Sequence, residues 1–137
     1  WMLLVNDLCR QVIQEGKMEL YSSGVQQRDF IEMNQVCHVI ETMSSPSFKF
    51  NAPALFNIGS GESRSVLEMS KLVQQRCNFV FGVQPELKQM TIEENEQSKK
   101  LEYKSNNLDK TLCITQDYNT EIDNLLRFCY SNFKKTS

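Results

Sequence analysis

The fold is decided by residues 17–31, which read KMELYSSGVQQRDFI. The first four of these residues alternate between charged and apolar side chains, as a strand with one buried face does. A Ser-Ser-Gly sequence follows, and these residue types favour tight turns. A second extended segment is expected over residues 28–33. The stretch therefore predicts a strand, a turn and a second strand that begins at Arg28 and Asp29.

Helices are predicted on both sides of this stretch. Residues 3–15 place apolar side chains three or four positions apart, and Gly16 follows, where a left-handed residue often ends a helix. Asn34 is expected to cap the next helix, which the Ser-Ser-Pro sequence at residues 44–46 ends. The apolar stripe of this second helix consists of Val36, Val39, Ile40 and Met43.

The middle of the chain predicts a buried strand and a third helix. The apolar residues 54–58 form the strand, which ends at a Gly-Ser-Gly turn. Ser65 and Glu68 have the spacing of a capping box, and the helix that they open is expected to reach about Cys77. Residues 79–81 are then expected to form a brief strand.

The last third of the chain is less regular until its end. Residues 91–100 are charged and predict a surface loop, residues 101–104 alternate as a short strand does, and residues 107–112 are expected to make one or two helical turns. Residues 120–133 predict a final helix capped by Thr120 with Asp123. Helices and short strands alternate, which indicates an α/β or α+β unit.

Composition excludes several classes of function. The 137 residues suffice for a single domain, 1–137, and 15 basic against 17 acidic residues give a net charge of −2. Such a chain has no basic field for nucleic acid, and no apolar run is long enough to span a membrane. Without a signal-peptide pattern, a cytoplasmic protein is expected. Because the chain begins with Trp1, we expect its start to be cut from something longer.

Cysteine and histidine usage argues against a metal centre. The single histidine, His38, has no suitably spaced partners, so no metal site is expected. Five cysteines are spread along the chain without a C-x-x-C pair, which predicts reduced thiols in the core. They are Cys9, Cys37, Cys77, Cys113 and Cys129.

Arg28 is the first candidate for binding chemistry. An arginine at the start of a strand can direct a planar fork of N–H donors at phosphate oxygens. Asp29 could orient that guanidinium or cap local backbone. The alternative is an exposed Arg28–Asp29 pair of little energetic value.

The order of these motifs resembles the C-terminal half of the sugar-nucleotide epimerases and dehydratases of the extended short-chain dehydrogenase/reductase family. The resemblance covers nearly the whole chain. The residues that match are Leu20-Tyr21, Gly24, Gln27-Arg28-Asp29-Phe30-Ile31, Asn34, Phe56-Asn57-Ile58-Gly59-Ser60-Gly61 and Ser65 through Glu68. A chance match by an unrelated α/β domain is the alternative.

The resemblance implies roles for individual residues. Arg28 would bind the diphosphate of a UDP-, dTDP-, CDP- or GDP-linked sugar. Glu19, Leu20 and Tyr21 would line the nucleobase site through backbone groups and the tyrosine ring. For Tyr21 the alternative is an ordinary strand aromatic packed on the first helix. Structural roles are expected for Asp29, Asn57, Gly59, Gly61, Ser65 and Glu68.

Departures from the family pattern limit what the chain can do. Met33-Asn34-Gln35 replaces the usual Val-Asp-Asp type, and no second arginine follows among residues 89–100, where nearby basic residues are lysines. They are Lys88, Lys99 and Lys100. The NAD(P)-binding G-x-x-G-x-x-G loop is missing, as is a Tyr-x-x-x-Lys pair ahead of the substrate segments. Tyr130 and Lys134 have that spacing but are interpreted as an exposed helix pair.

The resulting expectation is the nucleotide-sugar-binding part of an NAD(P)-dependent epimerase or dehydratase. The Rossmann half, which would be its partner, is absent from this chain, and the chain alone is expected to bind no cofactor and catalyse nothing. Residues 54–58 and 34–43 would then expose apolar faces and promote self-association. The alternative is a non-catalytic binding or regulatory module of the same fold.

Overall fold

The computed structural model describes residues 3–49, 56–90, 101 and 116–134. Helices and short strands are mixed along these residues, so the predicted fold class is confirmed. In chain order the elements are α1 (Leu4–Glu15), β1 (Lys17–Leu20), β2 (Gln27–Asp29), α2 (Met33–Ser44), β3 (Ser63–Ser65), α3 (Val66–Phe81), β4 (Glu86–Gln89) and α4 (Tyr118–Phe133).

The strands form two separate pairs. β1 lies parallel to β4, with Met18 opposite Leu87. β2 lies antiparallel to β3, with Arg28 directly opposite Arg64. The sequence does not predict β4, because only one of its four residues is apolar and an alternating pattern is therefore missing. The extended segment expected over residues 28–33 is shorter than predicted, since α2 already begins at Met33.

The core lies where α1, α3 and α4 pack together over β1. The inward residues of β1, Met18 and Leu20, are buried against these helices. We call the buried cluster the helical core; it consists of Leu8, Cys9, Met18, Leu20, Met69, Val73, Cys77, Ile122, Leu126 and Cys129. Three of the predicted core thiols thus lie in the core, whereas Cys37 is exposed on α2.

A two-pronged ion pair joins α3 to α4 at the edge of the helical core. Nε of Arg76 donates to Oδ1 of Asp123 over 2.7 Å, and the terminal nitrogen donates to Oδ2 over 2.6 Å. Both side chains are largely withdrawn from solvent, with 18% and 10% of their surface exposed. The Arg76 guanidinium also covers the ring of Phe79 at 4.1 Å. This pair fixes the relative position of the two helices.

The C-terminal end of α1 and the N-terminal end of α3 lie where the sequence predicts them. Gly16 ends α1 in the left-handed region at φ 70°. The capping box that opens α3 is present, since Glu68 N–H donates to Ser65 Oγ and the Glu68 carboxylate accepts from Ser65 N–H. The strand predicted for residues 79–81 is wrong, because α3 continues through Phe81 and ends at Gly82, φ 68°.

Two predicted caps are wrong. Glu32, and not Asn34, occupies the cap position of α2, and its side chain makes no capping hydrogen bond there. Asp117 caps α4 by accepting from Thr120 N–H, whereas the expected partner Asp123 lies one turn further on, bound to Arg76. In both cases the helix begins earlier than the apolar pattern indicates.

Several predictions concern residues outside the described ranges. The strand expected at 54–58 falls partly there, and its described part, residues 56–58, belongs to neither a helix nor a strand. The loop at 91–100, the turns at 107–112 and Cys113 lie entirely outside, and of the strand at 101–104 only Leu101 is described. None of the helices in the described ranges has the length and apolar character needed to cross a bilayer.

Candidate functional site

The turn between β1 and β2 is pressed onto the start of α3. Gly24 has φ 74°, and a Cβ at this position would stand 3.0 Å from the Leu67 Cβ atom. The Leu67 N–H donates to the Gly24 carbonyl over 2.8 Å, and the Val66 N–H donates to the Gln26 carbonyl over 3.0 Å. The turn therefore accepts hydrogen bonds from the first two N–H groups of α3, which have no partner within the helix. These bonds fix where β2 begins.

Asp29 joins the two sequence motifs to each other. Its carboxylate accepts from the backbone N–H of Ser60 over 2.8 Å and from that of Gly61 over 3.1 Å. The carboxylate therefore caps backbone N–H groups, but these lie 31 and 32 residues further along the chain and are not local. An exposed pair with Arg28 is not formed in the described residues. The Gly-Ser-Gly turn and β2 are thus held as one unit.

Arg28 is the cation of this unit. It lies exposed on β2, and its guanidinium donates to the Gln27 carbonyl over 2.9 Å. No carboxylate within the described ranges forms an ion pair with it. A guanidinium carries five N–H donors, so most of the donors of Arg28 are available to a ligand.

A cavity of about 1220 Å³ opens beside Arg28. Its walls come from α1, from β1 and the turn after it, from residues 28–33 and from α4. The lining is mainly apolar, with Leu8, Leu20 and Ile122 among its side chains. An apolar cavity with a few polar groups at its edge is the usual form of a small-molecule site.

The residues expected at a nucleobase site all line this cavity. They differ in whether their groups are free to contact a ligand. Glu19 N–H donates to Gln11 Oε1 over 2.7 Å, and the Leu20 carbonyl accepts from Met90 N–H over 3.1 Å. These backbone groups are therefore already bonded. The Tyr21 ring is 75% exposed, so the alternative of an aromatic packed on α1 is wrong. Tyr21 offers a bare aromatic face at the rim.

Glu32 is a cavity residue that the sequence does not indicate. Its side chain is 9% exposed, and Oε1 has no hydrogen-bond partner. Burial raises the pKa of this carboxyl, the charges of Glu121 and Asp117 raise it further, and a backbone hydrogen bond from Asp117 lowers it. A charged residue next to a helix start suggests a cap, and only the fold reveals that this one is buried.

Tyr118 and Arg64 form the corner between the cavity and β3. The Tyr118 hydroxyl donates to the Phe30 carbonyl over 2.7 Å, which holds its ring in the cavity wall. The Arg64 guanidinium lies over that ring, 4.9 Å from its centre, as a cation–π contact. Burial raises the pKa of the Tyr118 hydroxyl. Sequence reasoning missed both residues because they are 54 positions apart.

The Gly-Ser-Gly turn and the start of α3, as the structure describes them, do not fit the diphosphate of NAD(P). A phosphate loop offers free backbone N–H groups at a glycine turn before a helix. Here the N–H groups of Ser60 and Gly61 are taken by Asp29, and those of Val66 and Leu67 by the Gly24 turn. The geometry of this turn therefore supports a structural role, and no cofactor step is assigned to this chain.

The Tyr130–Lys134 pair lies apart from the cavity lining. Lys134 Nζ donates to the Tyr130 hydroxyl on the exposed face of α4, and the Tyr130 ring stacks on Phe81 at 5.1 Å. Neither residue lines the cavity. Across the described ranges, no three histidine, cysteine or acidic side chains converge as metal ligands would.

No protein-family model matches the chain, and no curated protein sequence is significantly similar to it. Solved structures are similar in fold. An NAD-dependent NDP-hexosamine 5,6-dehydratase involved in tunicamycin biosynthesis superimposes with a TM-score of 0.69 and 18% identity over 95% of this chain. A UDP-N-acetylglucosamine 4-epimerase from Methanobrevibacter ruminantium, in complex with UDP-N-acetylmuramic acid, gives 0.63 and 16% over 93%.

A third similar structure is a GDP-mannoheptose C4 reductase from Campylobacter jejuni with NADP bound, with a TM-score of 0.58 and 18% identity over 94% of this chain. The chain spans 40%, 39% and 43% of the length of these three structures. All three are sugar-nucleotide enzymes. The fold of this chain is that of the C-terminal part of such enzymes.

Proposed function

We propose that this chain binds a nucleotide sugar in the cavity beside β2, as the substrate-binding part of an NAD(P)-dependent epimerase, dehydratase or reductase. Arg28 holds the diphosphate, and the nucleobase lies against the Tyr21 ring. The NAD(P)-binding Rossmann part is its partner in the complete enzyme, which works in the cytoplasm.

This proposal rests on one observation: the guanidinium of Arg28 has free N–H donors and lies at the edge of a large apolar cavity. The position of Arg28 is well defined, because hydrogen bonds of the Asp29 carboxylate and of the Gly24 turn both hold β2 in place. An arginine fork on a rigid strand matches the oxygens of a diphosphate in charge and in geometry. The similar structures, which are sugar-nucleotide enzymes, support the class of ligand.

Tyr21 supplies the apolar part of the site. An aromatic face beside a nucleobase contributes contact area and offset stacking. Because the nearby backbone groups of Glu19 and Leu20 have partners inside the chain, recognition of the base falls mainly on this ring. Stacking is tolerant of base identity, so we expect uridine and thymidine diphosphate sugars to bind similarly.

The chain's own part in the reaction is to bind and orient. Binding energy taken from the diphosphate, far from the reacting carbon of the sugar, is the kind that enzymes use to position a substrate. The hydride chemistry requires NAD(P), for which the residues of this chain provide no phosphate loop. We therefore expect binding without turnover from this chain alone.

Isothermal titration calorimetry with UDP-glucose and dTDP-glucose tests the proposal. Arg28→Ala is expected to weaken binding by about tenfold or more, as the loss of charge-assisted hydrogen bonds does. Arg127→Ala removes the same charge from an exposed position on α4 that does not line the cavity, and should bind as the unchanged chain does. No binding by the folded chain, or equal weakening by both variants, would overturn the proposal.

A further inference from the structure

Two arginines face each other across the β2–β3 pair. Arg28 and Arg64 are directly opposed in the register, so their side chains leave the same face of the strand pair. Like charges in opposed positions are mutually destabilising. Neither neighbour in β2 relieves them, because the Asp29 carboxylate is bonded to the turn at residues 60–61. Two positive charges are therefore concentrated on this face of the strand pair, and Arg28 has no carboxylate partner among the described residues.

Arg64 is held against Tyr118, whose ring lines the cavity. Its guanidinium lies over Tyr118, and Tyr118 in turn is fixed by its hydrogen bond to the Phe30 carbonyl. Nε of Arg64 is buried and has no hydrogen-bond partner. The stacked side chain is thus preorganised, which lowers the entropic cost of binding an anion, and its terminal N–H groups are the donors that an anion can reach.

The present acidic contact of Arg64 is weak. Its terminal nitrogen lies 3.4 Å from the Glu62 carboxylate, and the two side chains are 41% and 60% exposed. An exposed pair at such a distance contributes little and is readily exchanged for a better partner. Glu62 therefore competes with a ligand for Arg64 without blocking it.

We propose that Arg28 and Arg64 form a two-arginine clamp for the diphosphate, with one fork for each phosphate group. The clamp rests on the proposed function, which required Arg28 alone. A diphosphate neutralises both guanidinium groups at once, so the like-charge repulsion across the strand pair is relieved on binding. A nucleoside monophosphate satisfies only one of them. The site therefore selects diphosphates over monophosphates.

The test is calorimetry of the full chain with UDP and with UMP. Arg64→Ala is expected to weaken UDP binding by about tenfold and UMP binding by less than about threefold. Arg64→Lys keeps the charge but loses the fork, so it should recover part of the UDP affinity. Glu62→Gln removes the competing carboxylate and should tighten UDP binding by about two- to threefold.

The outcomes separate the clamp from the proposed function. If Arg64→Ala binds UDP as well as Arg127→Ala does, while Arg28→Ala binds it weakly, the clamp is wrong and the function stands. If the unchanged chain does not bind UDP, both are wrong. Should Arg64→Ala fail to fold, Glu62→Gln decides, because unchanged or weaker UDP binding by this surface variant overturns the clamp.

Discussion

Helices α1 and α4 each carry apolar residues on two faces that meet different surroundings. On one face Cys9, Leu126 and Cys129 are closed off in the helical core. On the other, Leu4 and Phe128 line the cavity. The polar groups near each face differ as well, since Arg76 and Asp123 saturate each other beside the core. Beside the cavity, Arg28 and Glu32 keep unused hydrogen-bonding groups.

The difference shows that apolar surface alone does not identify a binding site in this molecule. Both faces are covered by apolar residues, and the cavity face differs in being open and in having the free donors of Arg28 beside it. Buried polar groups in folded proteins are nearly always bonded, so the unpartnered Oε1 of Glu32 and Nε of Arg64 are unusual. Glu32 lines the cavity, whereas Arg10 Nε and Gln116 Oε1 are equally unpartnered and belong to residues outside its lining.

The largest expected effect separates the helical core from the rim of the cavity. Leu126→Ala opens a hole in the helical core, where Leu126 is fully buried, and should lower the free energy of unfolding by about 2 to 5 kcal/mol. Tyr21→Ala removes an exposed ring and should change it by less than about 0.5 kcal/mol. Urea denaturation measures both. A Tyr21→Ala variant as unstable as Leu126→Ala would contradict the division into core and cavity.

A smaller effect is expected at the turn that positions β2. Gly24→Ala meets both a left-handed backbone and the nearby Leu67 Cβ atom, and should cost about 2 to 3 kcal/mol. Gly82→Ala is the matched control: its φ of 68° is similar, but open space surrounds it, so about 1 kcal/mol is expected. Equal melting temperatures for the two variants would show that the contact with α3 is not close.

The smallest effect concerns the Glu32 carboxyl. Because its pKa in the folded chain is raised above the ordinary value of 4.5, the protonated form is favoured on folding. The contribution of this carboxyl to the free energy of unfolding is therefore fully present below that value, and it is lost as the pH rises through the folded-state pKa. Glu32→Gln should remove this loss and stabilise the chain at neutral pH by on the order of 1 kcal/mol.

Thermal unfolding between pH 4 and pH 8 measures this effect. Glu41→Gln provides the control, since Glu41 is exposed on the same helix. The advantage of Glu32→Gln should grow as the pH rises, while Glu41→Gln should follow the unchanged chain at every pH. An advantage for Glu32→Gln that does not vary with pH would mean that ionisation is not its cause.

Local signals in the sequence predict the elements that local chemistry determines. Gly16 ends α1 and the Ser65–Glu68 box opens α3, because both depend on residues within one turn of the helix end. The predicted capping of α2 by Asn34 and of α4 by Thr120 with Asp123 is wrong. Asp123 instead binds Arg76 of α3, a contact between helices that local spacing does not predict.

A candidate site residue can be predicted from the sequence when it belongs to a motif. It cannot be predicted when only the fold brings it close to the others. The residue pattern around Arg28 predicts an anion ligand only in combination with the motifs at residues 56–61 and 65–68, since by itself it favours an exposed Arg28–Asp29 pair. Nothing in the spacing of Glu32, Arg64 and Tyr118 predicts that Glu32 and Tyr118 line one cavity or that Arg64 lies over the Tyr118 ring, because that depends on strand register and on the packing of α4. The sequence does not predict β4 for a related reason: its pairing with β1, and not its own residue pattern, makes it a strand.

Amide hydrogen exchange of the full chain with and without UDP tests the central claim, that the cavity beside β2 and not the helical core is the functional face. Exchange is expected to slow at residues 20–31 and 60–66, and to change little at residues 70–80 within α3. Protection confined to α3, or no protection at UDP concentrations that saturate binding in calorimetry, would contradict the account.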